Sequence, residues 1–306
     1  MPINENLPKI IHKSHNLREC HRRKHEFNCL EAFLSVKLMP GSYMTWDQLK
    51  QYIPSFVDAT WGIHNDFTDE EREDIVCRMF KGEHLPGAME SFKFTFLVKG
   101  MTYIDVSHFL RHREITFSSR CSGDRSLSDD VIMVPESIMN CPKLFERYIK
   151  TCEEQFEIYC DLVESGEVST MDARYILPKS TEQQYFMTMD WRTLIKVIAQ
   201  RQDREIQTKC DNLIAYGIIE EILKVYPKLK DLHIFNVDAP NKFYIANARK
   251  ERSTNLYLPE PQDDVFEYRL DDFVYPCHRE DLNGINPSKE KSWFQIRLEK
   301  IRNLLK

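Results

Sequence analysis

The sequence predicts an α+β fold, because clear helix and strand patterns both occur along the chain. One helix is indicated over residues 68–82, where Thr68 suits the N-cap, acids fill the first turn and Gly82 ends the segment. A longer helix is indicated over residues 142–165, where apolar side chains recur at helical spacing. Residues 92–99, FKFTFLVK, alternate aromatic with mostly polar side chains and therefore predict a strand.

The other predicted elements follow from periodicity, capping residues and proline positions. In chain order they are an apolar-periodic piece over FNCLEAFLSVKL, a helix that begins after Thr45, a short helix over 103–112, a Ser-rich loop over TFSSRCSGDRSLSDD, a helix over 168–177 that Pro178 breaks, a strand over 181–189, one or two helices over 191–226 and a basic amphipathic helix over the last residues. On the predicted strand, Tyr185, Met187 and Met189 share one face. Because acids and bases mix on the last helix, we expect it to pack against the protein or another subunit rather than a membrane.

Composition narrows the classes of function. The chain has 306 residues, of which 42% are hydrophobic and 29% charged, and this suits one large domain or a domain with extensions. A net charge of -6 argues against a nucleic-acid polymer as partner. With only 9 glycines the chain lacks Gly-rich phosphate-binding loops, so we expect arginine side chains to hold phosphate groups.

Targeting signals and cysteine usage both indicate the cytoplasm. No apolar run reaches membrane-spanning length, and the first residues, MPINENLPKIIHKSHN, lack the apolar core of a signal peptide. The nine cysteines are scattered without paired spacing, which predicts reduced thiols. We therefore expect a cytoplasmic protein with no membrane partner.

A run of histidines and cysteines near the start of the chain raises the question of a metal site. Its spacings fit no common zinc pattern, and lysines and arginines interleave it. We interpret it as a solvated basic segment and expect no metal. The residues concerned are His12, His15, Cys20, His21, His25 and Cys29.

One basic cluster contains the first candidate binding residues. Arg111, His112 and Arg113 end an apolar helix, and a loop of hydroxyls and arginines follows over residues 118–126. Guanidinium groups bind phosphates and carbonyl-bearing rings in bidentate fashion. Hydroxyls and backbone N–H groups can complete a nest for an anion. An exposed basic turn would explain the same residues.

A second set of arginines lies downstream. Arg174 lies in a helix that runs into a proline, and Asp190-Trp-Arg192-Thr-Leu opens another helix whose far end carries Arg201. Arg192 and Arg201 are nine residues apart, about two and a half turns, so they project from different faces and levels. One could serve a cofactor and the other a substrate. The alternative is a solvated helix face with ion pairs such as Arg201 with Glu205.

Taken together, these clusters resemble the flavin-dependent thymidylate synthases of the ThyX family. The resemblance is an ordered set of segments that covers about residues 58–230. The family's Gly-His segment is resembled by Gly82-Glu83-His84, and its Arg-His-Arg signature is matched by Arg111-His112-Arg113. Its Ala-Arg-x-x-Leu-Pro element resembles Asp172-Ala-Arg174-Tyr-Ile-Leu-Pro178, and its Asn-x-Arg-x-Leu element resembles Asp190-Trp-Arg192-Thr-Leu194. The family's last element, an Arg followed by Glu-Ile-Arg, resembles Arg201 with Glu205-Ile206-Gln207.

The resemblance implies a central antiparallel sheet flanked by helices over residues 58–230, with an N-terminal extension over 1–57 and a C-terminal extension over 231–306. It implies FAD as cofactor, with NADPH and methylenetetrahydrofolate as co-substrates. The implied reaction is transfer of a one-carbon unit to C5 of a pyrimidine nucleotide, from dUMP to dTMP. It also implies a homotetramer whose sites are shared between subunits.

Roles for single residues follow from the same resemblance. It makes Arg201 and Ser122 catalytic, with Arg201 polarising the uracil ring. The residues implied to contact FAD are His84, Arg111, His112, Arg113, Asp190 and Arg192. The residues implied to contact the nucleotide are His108, Arg120, Cys121, Ser122, Gly123, Arg125, Arg174 and Arg201.

The loop after the Arg-His-Arg segment departs from the family pattern. Cys121 stands where the family has Ser, so Ser122 fits only if the loop holds one extra residue, and Arg120 replaces a Glu. His108 and Asp190 replace a Gln and an Asn. These changes leave other functions open: a different acceptor such as UMP or dCMP, a hydroxymethylated product, or a non-catalytic nucleotide-binding or assembly module.

Overall fold

The computed structural model describes residues 20, 25–61, 66–83, 86–120, 127–128, 130–202, 207–235 and 293–306. The helices are α1 (Leu30–Phe33), α2 (Trp46–Trp61), α3 (Asp69–Phe80), α4 (Pro86–Glu90), α5 (Tyr103–Phe109), α6 (Glu136–Met139), α7 (Pro142–Glu164), α8 (Thr170–Ala173), α9 (Trp191–Arg201), α10 (Lys209–Val225) and a C-terminal helix (Trp293–Leu305), with short 3-10 turns at Arg174–Ile176 and Pro227–Lys230. The strands are β1 (Phe27–Cys29), β2 (Ser35–Leu38), β3 (Lys93–Met101), β4 (Thr116–Ser119), β5 (Ile132–Val134) and β6 (Gln183–Asp190).

Internal contacts divide the chain into two units. The first unit comprises residues 1–30, 100–106 and 119–183, and the second comprises residues 31–99, 107–118 and 184–306. The boundaries predicted from the resemblance, after residues 57 and 230, stay predictions.

The second unit holds a four-stranded sheet in the order β2-β3-β6-β4. Strand β2 pairs antiparallel with β3, with Val36 opposite Val98. The aromatic alternation of β3 sends Phe94 and Phe96 into the core, where both are fully buried. On β6, the face that Tyr185, Met187 and Met189 are predicted to share is buried. The predicted α+β class, with an antiparallel sheet flanked by helices, is confirmed.

Strand β4 lies where the sequence predicts a loop. Residues Thr116–Ser119 begin the Ser-rich stretch that predicts a loop, yet they form β4 at the edge of the sheet. Phe117 packs edge-to-face on Tyr185, with 5.3 Å between ring centroids. This aromatic contact accounts for the strand, because cross-strand packing outweighs the low strand preference of the serines.

Helix ends in the second unit follow the capping signals. At the start of α3, the Thr68 hydroxyl accepts from the backbone N–H of Glu71, and the Glu71 carboxylate accepts from the backbone N–H of Thr68. This reciprocal pair of hydrogen bonds satisfies two backbone N–H groups that have no acceptor within the helix itself. Gly82 follows α3 with φ of 74°, which glycine adopts without strain. The predicted helix over 68–82 is confirmed.

Helix α10 lies against β2 at very short range. Gly217 faces Val36, and a Cβ placed on Gly217 would lie 2.7 Å from Val36 Cγ2. Glycine inside a helix costs about 1 kcal/mol relative to alanine. The close approach explains why the helix carries it here, since any side chain would overlap the valine.

The first unit is built around α7, the predicted long helix. Its apolar face, with Phe156 and Tyr159 fully buried, packs in a core cluster that also holds β5 residues such as Ile132. Strands β1 and β5 pair in parallel, with Phe27 opposite Ile132. The backbone N–H of Leu127 donates to the Tyr159 hydroxyl at 3.2 Å.

The end of the His-rich run is buried rather than solvated, which corrects the sequence interpretation for His25. This residue is 8% exposed, and its ring stacks on Phe156 with 3.9 Å between centroids. Its Nε2 lies 2.7 Å from the backbone oxygen of Ser128, which fixes it as the protonated nitrogen. Stacking and one hydrogen bond compensate for burying the imidazole. His12, His15 and His21 lie outside the described residues.

The C-terminal helix packs against other elements of the second unit, in line with the predicted packing helix. Leu298 and Ile301 are buried, and the helix contacts α10. Lys300 Nζ lies 2.6 Å from a Glu220 carboxylate oxygen, and Arg297 donates to the backbone oxygen of Leu34 at 2.7 Å. Among the described residues, no helix has the length and apolar content needed to cross a membrane.

Candidate functional site

Helix α9 carries two of the predicted site arginines, and its start explains how they are placed. Asp190 is the N-cap, and one carboxylate oxygen accepts from the backbone N–H of Thr193 at 2.9 Å. The other oxygen accepts from Lys93 Nζ at 3.1 Å. Asp190 therefore anchors the helix between its first turn and strand β3. Its predicted contact with FAD stays a prediction.

Arg201 ends α9 and is almost wholly buried, with 8% of its surface exposed. Its Nε donates to His112 Nε2 at 3.0 Å, and one Nη2 hydrogen donates to the backbone oxygen of His108 at 2.6 Å. Its Nη1 donates to Gln207 Oε1 at 2.7 Å and to Asp211 Oδ2 at 3.2 Å. Arg201 is therefore buried and not part of a solvated helix face; Glu205, its partner in that alternative, lies outside the described residues.

The number of N–H groups that Arg201 has engaged determines how firmly its side chain is oriented. A guanidinium offers five N–H groups in a fixed plane. Contacts to described residues engage four of them, and the fifth is an Nη2 hydrogen. The Phe109 ring lies against the group, with 5.3 Å from Arg201 Cζ to the ring centroid. The side chain is therefore held in one orientation, and its fifth N–H is not engaged by any residue that the structure describes.

Asp211 lies at the centre of this cluster and is fully buried. Its Oδ2 lies 3.1 Å from His108 Nδ1 and 3.2 Å from Arg201 Nη1. The residue sits in the first turn of α10, where the Thr208 hydroxyl accepts from its backbone N–H at 3.1 Å. Next to it, Asn212 Nδ2 donates to the backbone oxygen of Arg201 at 2.8 Å. Helices α9 and α10 are thus joined at the site.

His112 is the neutral member of the cluster. Burial and the adjacent Arg201 guanidinium lower the pKa of His112 from 6.5 to about 4, against a small opposing effect of Glu114. Because the Arg201 Nε always carries a hydrogen, Nε2 of His112 accepts and the ring proton lies on Nδ1. A neutral imidazole can sit beside a guanidinium without repelling it.

Arg192 lies two and a half turns before Arg201, at a different level of the helix, as predicted. It forms an ion pair with Glu90 of α4. Nearby, Lys196 Nζ lies 2.7 Å from the Glu114 carboxylate, which also accepts from the Thr193 hydroxyl at 3.3 Å. These contacts tie the turn after α5 to the first half of α9.

Arg111 and Arg113 lie in that turn, and both residues are exposed. Neither forms an ion pair with another residue that the structure describes. Two exposed arginines beside a neutral imidazole are a donor set that fits a diphosphate.

Two predicted nucleotide contacts lie in the first unit. Arg120 Nη2 lies 3.3 Å from Asp130 Oδ1, and Arg174 Nε donates to the backbone oxygen of Met171 at 3.0 Å. The remaining predicted site residues lie outside the described residues; they are His84, Cys121, Ser122, Gly123 and Arg125. Within the described ranges, no group of three His, Cys, Asp or Glu side chains could hold a metal ion.

Sequence reasoning missed two contacts in the Arg201 cluster. Asp211 matches no motif used to find the site, and Gln207 ends the Glu205-Ile206-Gln207 segment but was given no role; both contact Arg201. One signal was present: Thr208 is a capping hydroxyl and Asp211 a first-turn acid of the helix that begins there. That signal locates a helix start and does not show that the acid is buried.

Comparison with known proteins places this geometry in a family. The model of the thymidylate synthase complementing proteins matches residues 37–228. A flavin-dependent thymidylate synthase of Saccharolobus solfataricus is 26% identical over 222 residues, covering 71% of this chain and 80% of that protein. Another, from Pyrococcus furiosus, is 26% identical over 197 residues, covering 60% of this chain and 75% of that protein.

A solved structure shares the fold. The UMP/dUMP methylase PolB from Streptomyces cacaoi, bound with 5-Br dUMP, superposes with a TM-score of 0.52. The match covers 66% of this chain and 93% of that chain, at 18% sequence identity. At this identity the likeness concerns the fold.

Proposed function

This chain belongs to the family of thymidylate synthase complementing proteins, and from that premise we propose that it converts dUMP to dTMP with FAD as cofactor. The one-carbon unit comes from methylenetetrahydrofolate and the electrons from NADPH, as is typical of the family. Two similar proteins that carry the name flavin-dependent thymidylate synthase support this assignment.

The orientation of Arg201 is the observation that carries the proposal. Residues that the structure describes engage four N–H groups of this buried guanidinium and so fix the direction of its other Nη2 hydrogen. Negative charge that develops on a carbonyl oxygen of the uracil ring is stabilised by such a prearranged donor, since no reorganisation is needed during the reaction. Arg201 is therefore the catalytic residue that the geometry supports.

His112 keeps this charge effective. With its pKa lowered to about 4, the imidazole is neutral at physiological pH and accepts from Arg201 Nε. It thus holds the guanidinium without adding a second positive charge. The cationic character of the site then rests on Arg201, balanced by the carboxylate of Asp211.

The donor set around α5 and α9 fits a flavin dinucleotide. Arg111 and Arg113, exposed and without ion-pair partners among the described residues, would hold its diphosphate. When bound, FAD supplies the electrons that reduce the transferred carbon. The other residue assignments made from the resemblance, including Ser122 as catalytic and Arg174 as a nucleotide contact, stay proposals.

An anaerobic turnover assay tests the reaction and its acceptor. Purified protein with FAD, NADPH and methylenetetrahydrofolate is offered dUMP, UMP and dCMP separately, and products are identified by mass spectrometry. We expect a methyl-sized gain on dUMP. A gain on UMP or dCMP alone, or a hydroxymethyl-sized gain, would replace the substrate or product proposed here. No product from protein that binds FAD would contradict the enzyme assignment.

We also propose that the protein works as a cytoplasmic homotetramer. The seven cysteines that the structure describes are all free thiols, which suits a reducing compartment. On α7, Leu144 and Ile158 are 63% and 45% exposed and lie about four turns apart on the same side. Exposed apolar side chains aligned on a long helix are typical of a surface that another subunit covers.

A further inference from the structure

Asp211 differs from every other residue of the Arg201 cluster in being a fully buried acid. A buried carboxylate is costly unless charged or hydrogen-bonded partners compensate for the lost water. Two partners meet it at one oxygen, Arg201 Nη1 at 3.2 Å and His108 Nδ1 at 3.1 Å. The free-energy cost of burying the Asp211 carboxylate is therefore offset by Arg201 and His108, and this compensation depends on where both side chains lie.

These contacts determine the plane of the guanidinium. His112 holds Nε and the His108 carbonyl holds Nη2, but both lie on the segment around the end of α5. Asp211 holds Nη1 from α10 and is the charged partner on that side. Gln207, the other acceptor at Nη1, is neutral and precedes the helix. Without the carboxylate, the guanidinium loses its only charged partner among the described residues.

We propose that Asp211 is a positioning residue for the reaction, acting through Arg201 and His108. The inference rests on the proposed function, because it takes Arg201 to be the group that faces the pyrimidine. Asp211 has no contact with substrate in this account. It sets the direction of the remaining Nη2 hydrogen of Arg201 and orients the His108 ring by accepting from its Nδ1 hydrogen.

A double-mutant cycle on D211N and R201Q separates positioning from simple packing. We expect D211N to lower kcat on the order of 10- to 100-fold, with KM for dUMP within about threefold of wild type. If Asp211 acts through Arg201, adding D211N to R201Q lowers single-turnover rates by less than about twofold further. Losses that multiply would overturn the proposal, because Asp211 would then act independently of Arg201.

Thermal melting of the same four proteins provides a readout that needs no activity. R201Q leaves the Asp211 carboxylate buried without its guanidinium, so we expect a lower Tm than wild type. Adding D211N removes that uncompensated charge, and the double variant is expected to melt above R201Q. A double variant that melts below R201Q would contradict the coupling.

E71Q is the matched control for both measurements. Glu71 is also a first-turn acid of a helix in the second unit, but it caps α3 and is exposed. The E71Q substitution should leave kcat unchanged and show no coupling with R201Q. If wild type forms no dTMP while the melting cycle shows the expected coupling, the proposed function fails and the Asp211 contact stands. If wild type is active and D211N is equally active, the positioning role fails alone.

Discussion

At the scale of single residues, the site depends on how charge is compensated in a buried cluster. Arg201 brings a permanent positive charge, Asp211 a negative one, and His112 accepts as a neutral base. The family resemblance found the arginine from its place in an ordered set of motifs. It could not find Asp211, because an acid in the first turn of a helix is ordinarily an exposed capping residue and only packing shows it to be buried.

His112 makes stability depend on pH in a defined direction. Its folded-state pKa is depressed to about 4 from 6.5, so the unfolded chain binds the proton first as pH falls. Its contribution is fully present above about pH 6.5 and is lost as pH falls toward about 4. We expect the free energy of unfolding, measured with urea between about pH 7 and about pH 4.5, to fall more steeply for wild type than for H112Q, whose amide does not titrate.

H112Q keeps an acceptor for Arg201 Nε, so its folding at neutral pH should be close to that of wild type. Parallel pH curves for the two proteins would show that His112 titrates normally. The titration of surface acids is common to both proteins and cancels in the comparison.

At the scale of elements, the long periodic segments were predictable. The helix over 68–82, the strand over 92–99 and the helix over 142–165 each combine a repeating apolar pattern with a local stop or start signal. The elements that were missed are short and depend on partners distant in sequence. Strand β4 depends on Phe117 packing against Tyr185 of β6, and β1 on parallel pairing with β5. A local pattern contains no information about such partners.

The α10–β2 contact gives a prediction about Gly217. G217A should gain about 1 kcal/mol of helix propensity but lose about 1–3 kcal/mol to overpacking against Val36. We expect the cost of overpacking to exceed the gain in helix propensity, since the added Cβ would lie 2.7 Å from Cγ2 and 2.8 Å from Cβ of Val36, whose branched side chain is stiff. Urea unfolding should therefore show a lower stability for G217A.

G87A is the matched control, because an added Cβ on that helical glycine meets nothing within 4 Å. It should be neutral or slightly stabilising. V36A should relieve the G217A defect in the double variant. G217A as stable as G87A would show that α10 and β2 are not packed as closely as described.

At the scale of the whole molecule, the proposed assembly follows from family membership and the exposed apolar side chains of α7. Light scattering during size-exclusion chromatography should give about four times the 36.4 kDa chain mass. L144E should reduce that mass by introducing charge at a covered surface, whereas K150E on another side of α7 should not. A wild-type protein that elutes as a monomer would contradict the proposed tetramer.

The predicted N-terminal and C-terminal extensions each supply an element of the fold. Strand β2, from the predicted N-terminal extension, joins the central sheet, and the C-terminal helix packs on α10. The sequence indicated an amphipathic helix at the end but not its partner. The ion pair of Lys300 with Glu220 and the burial of Leu298 supply that information.

The central claim is that a buried arginine directs one N–H to the pyrimidine in a flavin-dependent thymidylate synthase. Its most direct test is to measure dTMP formation by wild type and by R201A. Both proteins are loaded with FAD, and the flavin absorbance is recorded before dUMP, NADPH and methylenetetrahydrofolate are added without oxygen. We predict dTMP from wild type, and flavin bound equally by R201A with turnover lowered by about 10²-fold or more. Unchanged turnover in R201A, or loss of its flavin, would contradict the role of Arg201.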